Sequence, residues 1–153
     1  MNTTVISIDT ASAMTELSRR TWWRRISAGE VMRVADDQRG RAMLLWTQVA
    51  AYVAIPITPE DQRVVILADK GDAEAQNDIG QLFLISGKYA AAFYWLQQAA
   101  QQSHPDAMQW LGHCYIAGQG IKKDEHLGLM WIAKAAAHGH LIAQAQINGL
   151  RPR

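Results

Sequence analysis

From Thr58 onward, apolar positions recur at the alternating intervals of three and four that mark amphipathic helices. Ala75, Ile79, Gly80 and Phe83 form one stripe, and Ala107, Leu111, Gly112 and Tyr115 form the same stripe further along. A second kind of helix carries Trp95, Ala99 and Ala100, then Trp131, Ala135 and Ala136. Here Trp fills the gap between layers and paired alanines let backbones come close. The pattern predicts helical hairpins, and the punctuation agrees. Thr58-Pro59-Glu60-Asp61 opens a helix running to about Lys70, with a broad apolar surface at Val64 to Leu67. Asp72 or Ser103 can cap the first helix of a hairpin and Asp124 the second, while Gly71 and Gly139 suit positions just past helix ends.

The hairpins are copies of one another. Ala75, Ala107 and Ala143 correspond, at offsets 107 − 75 = 32 and 143 − 107 = 36; Gly80 and Gly112 repeat at 112 − 80 = 32, and Trp95 and Trp131 at 131 − 95 = 36. The spacings differ because GQGIKKD after Ala117 is longer than the SGK turn after Ile85. A glycine inside a helix costs about 1 kcal/mol relative to Ala. The same cost at the same place in two units implies a shared need, the close approach of a neighbouring helix. The pattern A-x-x-G-x-x-x-A-x-x-x-x-G-x-x-Y-x-x-G-x-G, then D and W-x-x-K-A-A-x-x-G, resembles the Sel-1-like repeat, a relative of the tetratricopeptide repeat. It is carried most fully by YIAGQGIKKD and MWIAKAAAHG within Ala107 to Gly139. The copy over Ala68 to Ala100 lacks the G-x-G loop and its aspartate, and a third stops after its first helix at about Leu150. The resemblance implies an all-α fold, a short α-solenoid of antiparallel helix pairs with a concave binding face. Together with the polar rows and the missing catalytic constellation described below, the repeat leads to the expectation of a non-enzymatic adaptor or scaffold that binds a protein or peptide partner in that face.

Ahead of the repeats, Ser27 to Glu30 matches a capping box. Ala35, Gln38, Ala42, Leu45, Val49 and Tyr52 then recur at intervals of three and four, predicting a long helix from about Ala28 to Ala54, loosened near Gly40. Such a helix would cap the array, whose units bury their faces only against neighbours. The expected organisation is a flexible N-terminus over residues 1–15, an N-terminal helical cap over 16–63 and about two and a half repeats over 64–150. The most apolar stretch, Ala42 to Ile57, falls short of the ~20 residues of a membrane span and reads as a buried helix. The opening MNTTVISIDTASAM lacks the basic and apolar regions of a secretory signal, so a cytoplasmic location is expected.

Composition narrows the function classes. In 153 residues, 15 Lys and Arg face 14 Asp and Glu, so bulk charge attracts neither nucleic acid nor an anionic membrane. Cys114 is the only cysteine, which rules out an intramolecular disulfide and a four-cysteine zinc site. His113 and Cys114 are adjacent, so on a helix they diverge by about 100°, and His138-x-His140 straddles a helix break at Gly139; neither is a metal-ligand spacing. No G-x-S-x-G, H-E-x-x-H or C-x-x-C occurs, and GQG is too short for a phosphate loop. No catalytic residue, cofactor or metal is expected.

The segment RRTWWRR, Arg19 to Arg25, could clamp phosphates and stack bases. Yet residues 1–63 hold eight Arg and seven Asp and Glu, 8 − 7 = +1, so no extended basic stripe accompanies it. The plainer reading is an amphipathic helix with Trp22 or Trp23 docked on the fold. Arg20, Trp22, Trp23 and Arg24 stand as a candidate docking arm, with nucleic acid or an anionic surface as a subordinate alternative.

Removing the core stripe from the first helices leaves Asn77 and Gln81 in one unit and Gln109 and His113 in the next, each pair one turn apart. With Trp110 as an aromatic anchor, these residues are the candidate partner-binding rows. Residues 64–153 balance at seven cations and seven acids, which predicts recognition by shape and hydrogen bonds more than by charge. Leu141, Ile142 and Ile147 have no following helix in the pattern, which gives a homodimer as the alternative.

Overall fold

The computed structural model describes residues 4–150; residues 1–3, part of the terminus expected to be flexible, lie outside the described residues, as do 151–153. In chain order the elements are β1 (Val5–Ser7), α1 (Ile8–Met14), α2 (Arg19–Ser27), β2 (Arg33–Val34), β3 (Met43–Leu45) and α3 (Trp46–Val49), which runs into a 3-10 turn (Ala50–Tyr52). Then come α4 (Pro59–Asp69), α5 (Ala73–Ile85), α6 (Tyr89–Gln101), α7 (Pro105–Ala117), α8 (Glu125–Ala137) and α9 (Leu141–Gly149).

The repeat half follows the sequence pattern closely. Helices α5 and α6 form one hairpin, α7 and α8 the next, and α9 is the half unit; α4 packs on α5 as α6 packs on α7. Thr58 and Asp61 exchange backbone and side-chain hydrogen bonds of 3.0 Å at the start of α4. Asp72 accepts from Ala75 N–H at 2.8 Å and Asp124 from Leu127 N–H at 3.0 Å. At α7 the cap is His104, not Ser103. Ser103 instead takes the left-handed conformation, φ 64°, which Gly71 and Gly139 hold at the equivalent joints. A side chain in that conformation costs about 1 kcal/mol or more.

The N-terminal half departs from the expected cap. No helix spans residues 28–54. The segment contributes β2 and β3 to a three-stranded antiparallel sheet of order β1-β3-β2, with Ile6 opposite Leu44 and Val34 opposite Met43. The three-and-four spacing is overridden by the turn chemistry of Asp36-Asp37-Gln38-Arg39-Gly40. The Asp37 carboxylate accepts from the backbone N–H of Arg39 (3.0 Å) and Arg41 (2.8 Å), and Gly40 N–H donates to Asp37 O (2.9 Å). These bonds close a loop and return the chain as β3, whose Met43 and Leu44 are both buried. The stretch Ala42 to Ile57, expected as one buried helix, is thereby divided among β3, α3 and the 3-10 turn. The Ser27–Glu30 capping box does not form either, because Ser27 is the last residue of α2. From residue 5 the terminus expected to be flexible is built into the fold: β1 pairs with β3, and Ile6, Ile8, Ala11 and Met14 are buried. The cap is thus a small mixed module on a predominantly helical chain.

Helix α6 divides the interior. Ala92 and Trp95 face a core shared with the N-terminal module, α4 and α5, where Trp22, Phe83 and Val65 lie. Phe93, Leu96, Ala99 and Ala100 face a second core with Ala107, Leu111, Cys114, Ile132 and Ala143. The repeated glycines do what their spacing implied. A methyl at Gly80 would lie 2.8 Å from Leu96 Cγ; at Gly112 it would lie 2.6 Å from Ile132 Cγ1 and 2.7 Å from the Gly128 carbonyl oxygen.

These contacts rank two substitutions. Gly112→Ala meets backbone as well as side chain and is expected to destabilise by about 2–3 kcal/mol, helix propensity notwithstanding. Gly80→Ala meets the Leu96 side chain, with backbone no nearer than 3.2 Å, and is expected to cost about half as much. Urea unfolding of the two variants would check the order.

Candidate functional site

The first helices α5, α7 and α9 stand in one layer, joined by side chains. Asn77 Nδ2 donates to Asp106 Oδ2 at 3.0 Å, and Gln81 Nε2 donates to the same oxygen at 2.7 Å. One junction further on, Gln109 Nε2 reaches Gln146 Oε1 at 3.5 Å, and Gln146 Nε2 donates to His113 Nε2 at 3.0 Å. The residues expected to line an open groove therefore face the neighbouring first helix. Asn77 and Gln109 are buried, at 2% and 5% exposed, and cannot meet a partner directly; Gln81 and His113 are half-buried. They hold successive repeats in register instead.

A second ladder, which the sequence reading missed, runs beside the first. His104 and His140 occupy the same place in successive units, 140 − 104 = 36, as do Glu74 and Asp106, 106 − 74 = 32. His104 Nδ1 accepts from Ala107 N–H (3.2 Å) while its Nε2 meets Glu74 Oε2 (2.8 Å). His140 Nδ1 accepts from Ala143 N–H (3.2 Å) while its Nε2 meets Asp106 Oδ1 (3.2 Å). With Nδ1 accepting a backbone N–H, Nε2 is the ring nitrogen that donates to the carboxylate in both cases. Each histidine is thus a helix cap and a tie to the preceding unit. The repeat offsets carried the signal for this pairing.

Two further rows lie one step around the helices at the same offsets. One is Glu74, Asp106 and Ile142; the other is Asp78, Trp110 and Gln146. Glu74, Asp78 and Ile142 are exposed, and Trp110 is half-buried, its ring 5.9 Å from that of His113. Burial first, then the nearby Glu74, pushes Asp78 above the usual carboxylate range; Asp106 and Asp72 add to the rise and His104 opposes it. The charge balance of the repeat half thus conceals a local excess of acid at the N-terminal end of this face. Asp106 moves the other way: burial raises it, but hydrogen bonds from Asn77, His140 and Gln81 outweigh burial and hold it below the usual range.

The Arg-Trp segment is α2. Trp22 is fully buried in the first core, so it is structural and not a docking residue. Trp23 is half-buried, with the Arg33 guanidinium 5.1 Å from its ring centre. Arg19 pairs with Asp9, and Arg25 lies 4.5 Å over Tyr52. Arg20 and Arg24 are exposed. With one Trp inside the core and the other covered by arginine, α2 offers no open aromatic platform for bases. Cys114 is buried, and burial pushes its thiol up to about 11, a protonated core residue and not a nucleophile. Among the described residues no group of three or more His, Cys, Asp or Glu could hold a metal ion, and no helix is long and apolar enough to cross a membrane.

Because the folded Asp106 carboxyl lies below its unfolded value, its contribution to stability is present above about pH 4 and is lost as pH falls through the folded value. Asp106→Ala at neutral pH leaves the buried Asn77 amide unserved and is expected to cost about 1–3 kcal/mol. Asp106→Asn is expected to differ from the wild type at pH 7, the gap narrowing as pH falls below about 4. Denaturant titrations at pH 7, 4 and 3 read both effects.

The profile of the Sel1 repeat matches residues 73–104 and 105–140, the two hairpins with their joints. Among solved structures, the chain is similar to a Sel1 repeat protein from Oxalobacter formigenes, at 28% identity and a TM-score of 0.53, covering 57% of this chain and 27% of that one. It is also similar to a protective antigen present in uropathogenic Escherichia coli strains displaying an SLR fold, at 26% identity and a TM-score of 0.51, covering 57% of this chain and 20% of that one. The chain therefore matches about a quarter or less of the length of either. Two matched repeats, an alternating helix layer held by glycine contacts and the likeness to these two structures show that residues 73–140 carry two Sel1 repeats with a helical solenoid fold.

Proposed function

We propose that the protein is a non-enzymatic adaptor that holds a segment of another protein against the face carrying Glu74, Asp78, Asp106, Trp110 and Ile142. The family's solenoid architecture supports a protein-interaction role, and the chemistry of the two rows supports the finer reading. Trp110 is the observation that carries it: a half-buried indole between an acidic end and an apolar end, on a first helix whose other polar residues are spent on its neighbours. The partner segment that fits carries basic residues toward α5 and apolar ones toward α9. Such a segment would gain a desolvated contact on Trp110, where hot spots concentrate, and charge steering at the rim. Trp110→Ala combined with Asp78→Ala is expected to weaken partner binding at least about tenfold while moving the thermal midpoint by no more than a few degrees. Affinity capture from the source cells followed by titration of the captured partner reads this; equal affinity for wild type and variant would sink the assignment.

A second reading, self-association, is favoured by α9 and the residue that follows it, where Leu141, Ile142 and Leu150 are 79%, 61% and 63% exposed. Apolar side chains gathered at one end of a helix layer suit a two-fold contact between copies. Sedimentation equilibrium at micromolar concentrations is expected to give a dimer that Ile142→Asp dissociates. A monomer throughout that range removes this reading.

A further inference from the structure

A cavity of about 600 Å³ lies where the N-terminal module meets the repeats, walled by α1, the loop before β3, the end of α4 and the outer side of α6. Its floor is the buried Asp69 carboxylate. That charge is already spent: Ser7 Oγ and Thr10 Oγ1 donate to it at 2.5 Å each, Ser7 N–H at 3.3 Å and Arg41 at 3.3 Å. Arg41 is itself neutralised by Asp37 at 2.7 Å and by Asp69, and Asp9 by Arg19. The carbonyls at the α4 terminus are covered as well. Gln76 donates to Ala68 O (3.1 Å), Arg39 and Arg41 to Asp69 O (3.2 and 3.0 Å), and Gln102 to Gly71 O (2.9 Å).

What remains in the wall is two cations and side chains able to donate. Arg39 uses one N–H on the Asp69 carbonyl, and Lys70 lies at the mouth; among the described residues neither meets a carboxylate. Tyr94, Gln98 and Gln101 line the α6 side, and among the described residues their side chains make no hydrogen bond to protein. Burial keeps the Tyr94 hydroxyl protonated, hence able to donate. Two unpaired cations of different geometry, a forked guanidinium and a point-charge ammonium, beside amide and phenol donors make a site for oxygen anions. The volume is that of small-ligand pockets.

We propose that this cavity binds a small molecule through its phosphate or carboxylate group, with Arg39 and Lys70 as the charge-bearing contacts and Tyr94, Gln98 and Gln101 as hydrogen-bonding ones. The site is separate from the partner face on α5, α7 and α9, and it sits where the N-terminal module is tied to the array.

Isothermal titration at constant ionic strength, set with sodium chloride, tests this with inorganic phosphate and with citrate. At least one of the two is expected to bind in the millimolar range or tighter, and which one binds distinguishes phosphate from carboxylate ligands. Arg39→Gln with Lys70→Gln is expected to weaken that binding about tenfold, whereas Arg20→Gln with Arg24→Gln, which removes the same charge from α2, leaves it unchanged. Lys70→Gln alone, at an exposed residue with no partner to lose, is expected to weaken it about threefold and guards against misfolding of the double variant. The Gln98 and Gln101 side-chain amide resonances are expected to move on titration in the wild type. The proposal is overturned by failure of both anions to bind, by equal weakening in the α2 control, or by amide resonances that stay still.

Discussion

At the end of α4 a carboxylate is taken almost wholly out of water, Asp69 with its side chain 3% exposed. An isolated charge in that position would cost several kcal/mol. It is tolerated because two hydroxyls, a backbone amide and a guanidinium converge on it from β1, α1 and the loop before β3. Each of those elements is short, and none would hold its geometry alone. Ser7 ends β1 and caps α1 while donating to Asp69, so one residue couples the sheet, the helix and the repeat array. Arg41 couples the Asp37 turn to the same carboxylate. The N-terminal module and the first repeat are consequently one cooperative body with one shared core, which fixes where the solenoid starts and encloses the cavity beside α6.

Along the array the constraint changes from charge to distance. The helices of a hairpin approach so closely at Gly80 and Gly112 that no side chain fits, which brings Leu96 and Ile132 against the facing backbone. The G-x-G loop extends the same economy to the next unit: a Cβ at Gly120, whose φ is +76°, would lie 2.1 Å from the Tyr89 carbonyl oxygen, so the loop rests directly on the start of α6. Polar residues then set the spacing of the first helices. Asn77 and Gln81 on Asp106, with His104 on Glu74 and His140 on Asp106, tie each unit to the one before. Asn77 and Gln109, buried between first helices, are unavailable for recognition, and the face left over is narrower and more acidic than its sequence composition suggests.

How far the sequence was legible differs between the two halves for one reason. In the repeats, neighbours in space are residues three or four apart on a helix or one unit apart in the chain, so period and offset report contacts directly. The span of α4, the caps at Thr58, Asp72 and Asp124, the meaning of the glycines and the half unit at α9 were all readable. The exceptions are informative: His104 took the cap from Ser103, because the joint needed a left-handed residue where the other joints have glycine. In the N-terminal half the contacts are non-local. A spacing of three and four over Ala35 to Tyr52 imitated a helix, while the Asp37 turn and the pairing of β3 with β1, some forty residues away in sequence, were stronger.

The candidate site divides along the same line. Repetition alone marked Asn77, Gln81, Gln109 and His113 as equivalent polar pairs and Asp78 and Trp110 as another shared position. Which set faces a neighbour and which faces solvent depends on a rotation of a few tens of degrees about the helix axis, and that rotation is set by packing between layers. Trp22 shows the same limit, since an arginine-flanked indole reads alike whether it points outward or, as here, into the core. The sequence by itself determined that the chain from Thr58 onward is a short helical repeat array, because periodicity is local information, and its motifs resemble the Sel1 repeat. Only the tertiary structure decided that Asp69 anchors a mixed N-terminal module, that the polar rows are inter-repeat ties, and that a donor-lined cavity opens between module and array, because burial and charge pairing belong to residues that meet only after folding.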